Sequence, residues 1–271
     1  MPTGASGAAG GSRTMKDSGA GGNRPAVRDR EPGRAEAVRR MFSALAPRYD
    51  LLNHLLSLNI DRRWRRKAVD RLLEHAPADG TILDACAGTL DLARELAGRD
   101  AFRGRVFASD FAVPMLVRGV AKVAGLRVGV AAADTLMLPL ASASIDGAMV
   151  GFGVRNLEDL DAGLAEFARI LRPGAPLVVL EFTTPTRQPL RAAYLLYFRR
   201  ILPLVGRFVS GHDAAYDYLP ESVLAFPEPA ELAARMKNAG FSPVRYDRLS
   251  GGIAAIHSGL RTLAPAHRVR T

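Results

Sequence analysis

The sequence predicts an α/β fold: a seven-stranded, mostly parallel sheet with helices on both faces, finished by a C-terminal antiparallel hairpin. Three observations carry that prediction. Helix and strand periodicities alternate along the chain from about residue 35. The middle strand runs are continuously apolar, as strands covered on both faces are. The last two strand runs are separated only by Ser250-Gly251-Gly252, a length and composition suited to a hairpin turn.

The elements follow in order. Residues 35–49 and 61–75 have amphipathic helical spacing and precede the first strand, 81–84. That strand enters the small-residue turn Ala85-Cys86-Ala87-Gly88-Thr89-Leu90, and a helix begins near Asp91. The second strand is 105–110, the third a weaker 126–132, and the fourth 145–150, which runs into Gly151-Phe152-Gly153. A helix over 160–171 is stopped by Arg172-Pro173-Gly174. The fifth strand, 175–182, is dense in Leu and Val, as a central strand should be. An irregular stretch covers 183–227, then a helix over 228–239 ends at Gly240, and strands 242–249 and 253–258 close the sheet.

Composition sets the bounds on domains and partners. The 271 residues, 48% hydrophobic and 24% charged, suffice for one large globular domain with a full core. Residues 1–34 are rich in Gly, Ala, Ser and Arg without apolar periodicity; they are expected to be a disordered tail. The domain then spans 35–265, with a helical cap before the first strand and an inserted lid at about 183–227; 266–271 is a flexible tail. No run reaches the roughly 18 uncharged apolar residues of a membrane span, and no apolar core of a secretory signal is seen. The single Cys86 excludes an internal disulfide and a Cys-based zinc site, so no metal is expected; it fits a reducing cytoplasm. The net charge of +10 has two readings: a compositional bias toward Arg, or contact with anionic partners.

The most specific local signal is the turn between Asp84 and Asp91 with Asp110 following 26 residues after Asp84, at the end of the second strand. A strand, a small-residue turn, a helix and a strand ending in an acid make half of a nucleotide-type site. The turn admits a ligand close to backbone N–H groups, and the acid accepts hydrogen bonds from two ribose hydroxyls. Leu90 stands against this pattern, because such turns carry glycine there, whose backbone freedom leucine lacks. The expectation is a locally adjusted turn that still binds.

Several ordered motifs add to the turn. Met41-Phe42-Ser43-Ala44-Leu45-Ala46-Pro47-Arg48-Tyr49-Asp50 is followed by Asn53, Ser57 and Trp64. Gly151-Phe152-Gly153-Val154-Arg155-Asn156 follows the fourth strand; Arg169 through Gly174 leads to Leu180-Glu181-Phe182. Asp213, Tyr216, Tyr218-Leu219, Glu221-Ser222 and Gly252 through His257 complete the set. Together they resemble the ubiquinone/menaquinone biosynthesis C-methyltransferases over residues 37–261. The departures are Leu90 for glycine, Cys86 for alanine or glycine, Gly151 for serine, and no acid at Leu136.

The resemblance implies a class I S-adenosylmethionine-dependent methyltransferase that methylates a ring carbon of a polyprenylated quinol, foremost demethylmenaquinol. A polyprenyl benzoquinol, and a non-catalytic member weakened in cofactor binding, are the alternatives. Implied cofactor residues are Asp84, Gly88, Thr89 with its hydroxyl near the methionine portion, Asp110 on the ribose, Asp134 on the adenine amino group, Thr135 and Gly151. Asp134 has a second reading as a loop-capping acid. Arg155 is the implied stabiliser of the phenolate that forms as the ring becomes nucleophilic, or else it forms a salt bridge to Glu158 or Asp159. Asn156 either orients substrate or caps the following helix. Asp50 is either a base or the end of its helix, and His257, in a late strand, reads as structural. The segment 190–209 mixes apolar runs with Arg191, Arg199, Arg200 and Arg207. It reads as a lid for an isoprenoid tail that touches anionic headgroups on the inner face of the membrane, or as a packed helix pair or homodimer face. A nucleic-acid substrate is disfavoured, because no base-flipping motif follows the fourth strand.

Overall fold

The computed structural model describes residues 34–46, 59–197, 200 and 214–262. Of the expected tail 1–34 only Arg34 is described, and it begins the first helix; the rest of that tail, the tail 266–271, the candidate base Asp50 and the parts of the lid at 198–199 and 201–213 lie outside the described residues. Helix α1 is Arg34–Leu45 and α2 is Ile60–Leu73. Then come β1 Thr81–Ala85, α3 Asp91–Ala97, β2 Arg105–Asp110, α4 Val113–Val120, β3 Val128–Ala132 and β4 Gly147–Gly151. The second half holds α5 Leu160–Ile170, β5 Pro176–Phe182, α6 Leu190–Leu196, α7 Ala214–Ala225, α8 Pro229–Asn238, β6 Phe241–Leu249 and β7 Ala254–Arg261.

The seven strands lie in the order β3-β2-β1-β4-β5-β7-β6. The first five are parallel, and β7 inserts antiparallel between β5 and β6. The order reverses direction at β1, so the crevice above the carboxyl ends of β1 and β4 is where such sheets take ligands.

The strand sequences divide the core by simple alternation. Ile82, Met149 and Val178 face a layer with Trp64, Leu72 and Leu96 from α2 and α3. Their neighbours Leu83, Val150 and Val179 face Leu164 and Phe167 of α5 and Met236 of α8. A period of two in side-chain direction is what allows one apolar run to serve both faces. The edge strands look different for the same reason. β3 is only half covered and β6 shows mostly exposed residues, including Arg245, Asp247 and Arg248.

Strand and helix positions match the sequence expectation within a few residues. Three helices were not expected as such. α4 is short and starts at a proline-bearing turn, while α6 and α7 lie in the stretch read as irregular. α7 even carries Pro220 inside it, a residue that argues against a helix locally.

Candidate active site

The turn after β1 is built from alternating backbone hands. Cys86, Gly88 and Leu90 have φ values of 52°, 52° and 66°, with Ala87 and Thr89 between them on the ordinary side. Alternation of this kind turns successive amides toward one concavity, the geometry used to hold anionic or polar groups. The turn is closed by hydrogen bonds from Leu90 N to the Ala87 carbonyl and from Ala87 N to the Ser109 carbonyl, both 2.9 Å.

Leu90 corrects the expectation of an adjusted turn. It keeps the left-handed conformation in which glycine is the easy residue, and its side chain is fully buried among the α2–α3 core residues. A left-handed residue with a Cβ costs about 1–2 kcal/mol; burying a leucine stabilises by about 1.5–3 kcal/mol. Burial wins, and the side chain is directed into the core and not into the crevice. Gly119 of α4 does carry a glycine requirement. A Cβ there would lie 2.6 Å from the Thr89 carbonyl carbon and oxygen, so α4 can back the turn only without a side chain.

Asp110, at the end of β2, ties the turn to the strand. Its Oδ2 accepts from Gly88 N at 2.9 Å and its Oδ1 from Ala112 N at 2.8 Å. Burial raises its pKa against the pull of these amides. The Phe111 amide adds to these two, and a carboxylate with about four acceptor directions keeps one for a further donor such as a ribose hydroxyl. Asp134 is exposed, and its Oδ1 accepts from Leu136 N at 2.9 Å. The loop-capping and cavity-lining readings of Asp134 therefore coexist. Thr135 is buried, with its hydroxyl 3.4 Å from the Cys86 sulfur, and burial pushes the Cys86 thiol up to about 12.

These residues meet in one open crevice above the carboxyl ends of β1, β2 and β4. Gly88, Asp110, Asp134, Thr135, Gly151 and Asn156 all line it, and Phe42 of α1 borders it. A smaller recess continues behind the turn, lined by Asp84, Thr89 and Arg65 among others, and it shares Cys86, Gly88 and Gly151 with the main cavity. Asp84 is fully enclosed. Its Oδ2 accepts from Ala93 N at 2.9 Å, while Oδ1 has no hydrogen-bond partner. Burial raises its pKa to about 8, opposed by the Ala93 amide and the Arg65 guanidinium. The Thr89 hydroxyl accepts from Lys122 Nζ at 3.1 Å, which places it toward the back of the turn.

The candidates after β4 divide. Asn156 lines the cavity, and its Oδ1 accepts from the Tyr218 hydroxyl of α7 at 3.0 Å. It does not cap the next helix: Asp159 does, accepting from Ala162 N at 2.9 Å, because its side chain and not that of Asn156 sits one residue ahead of α5. Arg155 is buried outside the cavity lining. It forms an ion pair with Glu181, with Nη1 2.8 Å from Oε1, an acid the sequence reading did not name as its partner. Parallel pairing of β4 with β5 brings Glu181 to the end of β4. Nη1 also donates to the Phe152 carbonyl at 2.5 Å. His257 is buried in β7 with Nε2 2.9 Å from the Pro229 carbonyl, and burial lowers its pKa to about 4. That contact to α8 is a packing role.

Arg65 was not singled out from the sequence, and Phe42 and Glu181 stood there only as members of motifs, with no role of their own. Arg65 lies among six basic residues on a helix whose charged face looks solvated, and only its inward turn distinguishes it. Among the described residues no group of His, Cys, Asp or Glu side chains is arranged to hold a metal.

The residues present fit a nucleoside with a charged tail. Asp110 offers acceptors for a ribose, the left-handed turn offers amides, and the orphaned Oδ1 of Asp84 calls for a donor. Comparison with known proteins points the same way. The model of the ubiE/COQ5 methyltransferase family matches residues 30–261. The demethylmenaquinone methyltransferase of Thermus thermophilus is 50% identical over 223 residues, covering 82% of this chain and all of that protein. That of Deinococcus radiodurans is 46% identical, covering 88% of this chain and 97% of the relative. The ubiquinone/menaquinone biosynthesis C-methyltransferase UbiE of Syntrophotalea carbinolica is 44% identical, covering 87% and 98%. Among solved structures, a possible histamine N-methyltransferase from Thermotoga maritima, described as S-adenosylmethionine-dependent, superposes with a TM-score of 0.58. It is 17% identical and covers 82% of this chain and 99% of its own. The putative methyltransferase in complex with the Trm112 activator of Haloferax volcanii gives 0.60 at 16% identity, covering 82% and 98%. These two likenesses establish the fold.

Proposed function

Since this chain belongs to the ubiE/COQ5 methyltransferase family, we propose that it is the S-adenosylmethionine-dependent C-methyltransferase that converts demethylmenaquinol to menaquinol. The single observation that carries the reading is the cavity itself. Gly88, Asp110, Asp134, Thr135, Gly151 and Asn156 converge on one crevice, in a chain half identical to a relative of that name.

The bound cofactor supplies an electrophilic methyl group. The chain's own residues do the rest. Asp110 holds the ribose hydroxyls, Asp134 the adenine amino group with the Thr135 backbone beside it, and the amides around Gly88 the remainder of the cofactor. Gly151, at the mouth of β4, leaves room for it. The ring carbon to be methylated is a poor nucleophile until a neighbouring hydroxyl loses its proton. Arg155, fixed by Glu181 and the Phe152 carbonyl, biases the site electrostatically toward that phenolate. Asn156, anchored to Tyr218, orients the ring, and Asp50 is the candidate acceptor of the proton. Alignment of the attacking carbon with the methyl group is the main catalytic device.

A prenylated substrate also calls for contact with a bilayer. Among the described residues no helix is long and apolar enough to cross a membrane. Exposed Leu190, Arg191 and Leu196 on α6 instead suit peripheral contact on the cytoplasmic side with anionic lipid. Flotation with phosphatidylglycerol vesicles is the check; concentration-dependent dimerisation without flotation would assign α6 to a homodimer.

The decisive experiment is the quinone profile of a deletion strain by mass spectrometry. Accumulated demethylmenaquinone is the expected result. A demethylated benzoquinol precursor would move the protein to ubiquinone biosynthesis, and an unchanged profile would reject both.

A further inference from the structure

A second groove lies between the packed helices α2 and α3. None of its lining residues borders the main crevice, and only Arg65 and Asp91 also reach the recess behind the turn. Five arginines line it: Arg62, Arg65 and Arg66 from α2, Arg94 from α3, and Arg99 just beyond α3. Against them stand two acids, Asp91 and Glu95.

Those acids are already committed. Asp91 is held by Lys122 at 2.8 Å and by Arg65 at 3.5 Å, and Arg65 also pairs with Asp61. Glu95 is held by Arg99 at 3.1 Å, and Arg99 pairs with Asp70 at 2.8 Å. Arg62, Arg66 and Arg94 are left over. All three are exposed, and among the described residues their guanidinium groups form no ion pair or hydrogen bond.

The sequence explains how they come together. Arg62 and Arg66 stand four residues apart on α2, one turn above the other on the same face, and Arg94 comes from the neighbouring helix. Like charges at that spacing destabilise a helix, and a third guanidinium on the same groove adds to the repulsion. Packing does not demand them, since α2 buries Trp64, Ala68, Val69 and Leu72 instead. An anion in the groove would relieve the repulsion. A guanidinium is a planar fork that matches phosphate oxygens in pairs, and it is more weakly hydrated than an ammonium. Three such forks offer more donors than a single carboxylate can use, and a phosphate group suits them better.

We propose that Arg62, Arg66 and Arg94 form a phosphate-binding site separate from the crevice. The phosphate is carried either by a lipid headgroup or by a soluble diphosphate. A headgroup would make the groove a point of attachment to a bilayer; a soluble diphosphate would make it an effector site. Neither depends on the methyl-transfer reading.

Two measurements on the full-length protein distinguish the sources. One is calorimetric titration with inorganic pyrophosphate; the other is flotation with phosphatidylglycerol against phosphatidylcholine vesicles. Both are made at about 0.15 M salt, where exposed charges more than about 8 Å apart are largely screened. Pyrophosphate binding assigns the site to a soluble ligand, and flotation selective for phosphatidylglycerol without it assigns a headgroup. The variant Arg62→Gln/Arg66→Gln/Arg94→Gln should weaken whichever is seen by at least about tenfold. A control that removes the same charge from exposed positions elsewhere, Arg39→Gln/Arg118→Gln/Arg245→Gln, should cost no more than about threefold. Equal losses in the two triple variants would overturn the site by reducing it to net charge. A groove variant that behaves as the wild type, or a wild type that binds neither probe, would overturn it too. S-adenosylhomocysteine affinity of the groove variant should stay within about twofold; a larger loss would overturn the separation from the cofactor crevice.

Discussion

Asp84 and Glu181 are both carboxylates sealed at the carboxyl ends of parallel strands, yet their surroundings are opposite. Glu181, near the end of β5, accepts from Arg155 Nη1 at 2.8 Å, from Phe182 N at 2.9 Å and from Arg155 N at 3.3 Å. Asp84, at the end of β1, has one backbone donor and one oxygen left over. The first acid is complete within the protein. The second is only half satisfied. A buried polar group without a partner is costly, and this one lies in the recess that joins the main crevice through Cys86, Gly88 and Gly151. The same contrast extends to the backbone: the β1 turn carries three left-handed residues, while the β4 corner carries one, Phe152, at φ 60°.

The largest effect should come from opening the complete site. Arg155→Ala leaves Glu181 buried without its cation and should cost about 3–5 kcal/mol in urea unfolding. The double variant Arg155→Met with Glu181→Leu should recover most of that. A loss below about 1 kcal/mol would end the contrast with Asp84.

Leu90 tests the strained side of the turn. Leu90→Ala keeps the left-handed strain and loses burial, for a cost of about 2–5 kcal/mol. Leu90→Gly loses the same burial but relieves the strain, and should be less destabilised by about 1 kcal/mol. If alanine proves the better replacement, Leu90 is not held as described. Cofactor affinity in the glycine variant should stay within about twofold, because the Leu90 side chain does not line the cavity.

Asp110→Ala removes the proposed ribose acceptor and the tie to Gly88, and should weaken S-adenosylhomocysteine by at least about tenfold. Unchanged affinity would reject the placement of the ribose.

The smallest effect belongs to the incomplete acid. Asp84 has a folded pKa of about 8, against about 3.9 in an unfolded chain. The native state therefore holds a proton that the unfolded state has lost, and stability falls as pH rises from about 4 to about 8. Asp84→Asn should flatten that fall and melt at least about 2 °C higher than wild type at pH 9, while binding S-adenosylhomocysteine more weakly. A variant that gains stability without losing affinity would place Asp84 outside the site.

Much of the architecture was legible in the chain because it follows from local rules. Runs such as Leu177-Val178-Val179-Leu180 need only their neighbours to be recognised as central strand, and Asp110 can be placed at a strand end by counting. The bounds of α6 and α7 were not legible, because α6 is only seven residues long and α7 carries Pro220 in its interior. Arg65 was hidden for another reason. On a helix with so many arginines, periodicity says which face is buried but not that one cation turns inward beside an orphaned acid.

The sequence by itself determined the order of elements, the two-faced sheet and the acids that end its strands, because side-chain alternation and turn chemistry act over a few residues. Only the tertiary structure decided that Leu90 keeps a glycine's backbone, that Arg155 belongs to Glu181, and that Asp84 is left half satisfied. Each of those outcomes is an energy balance between burial and a polar or conformational cost. Burial is set by segments far apart in the chain, which is why the turn from Asp84 to Asp91 could be recognised in the sequence but its charge state and strain could not.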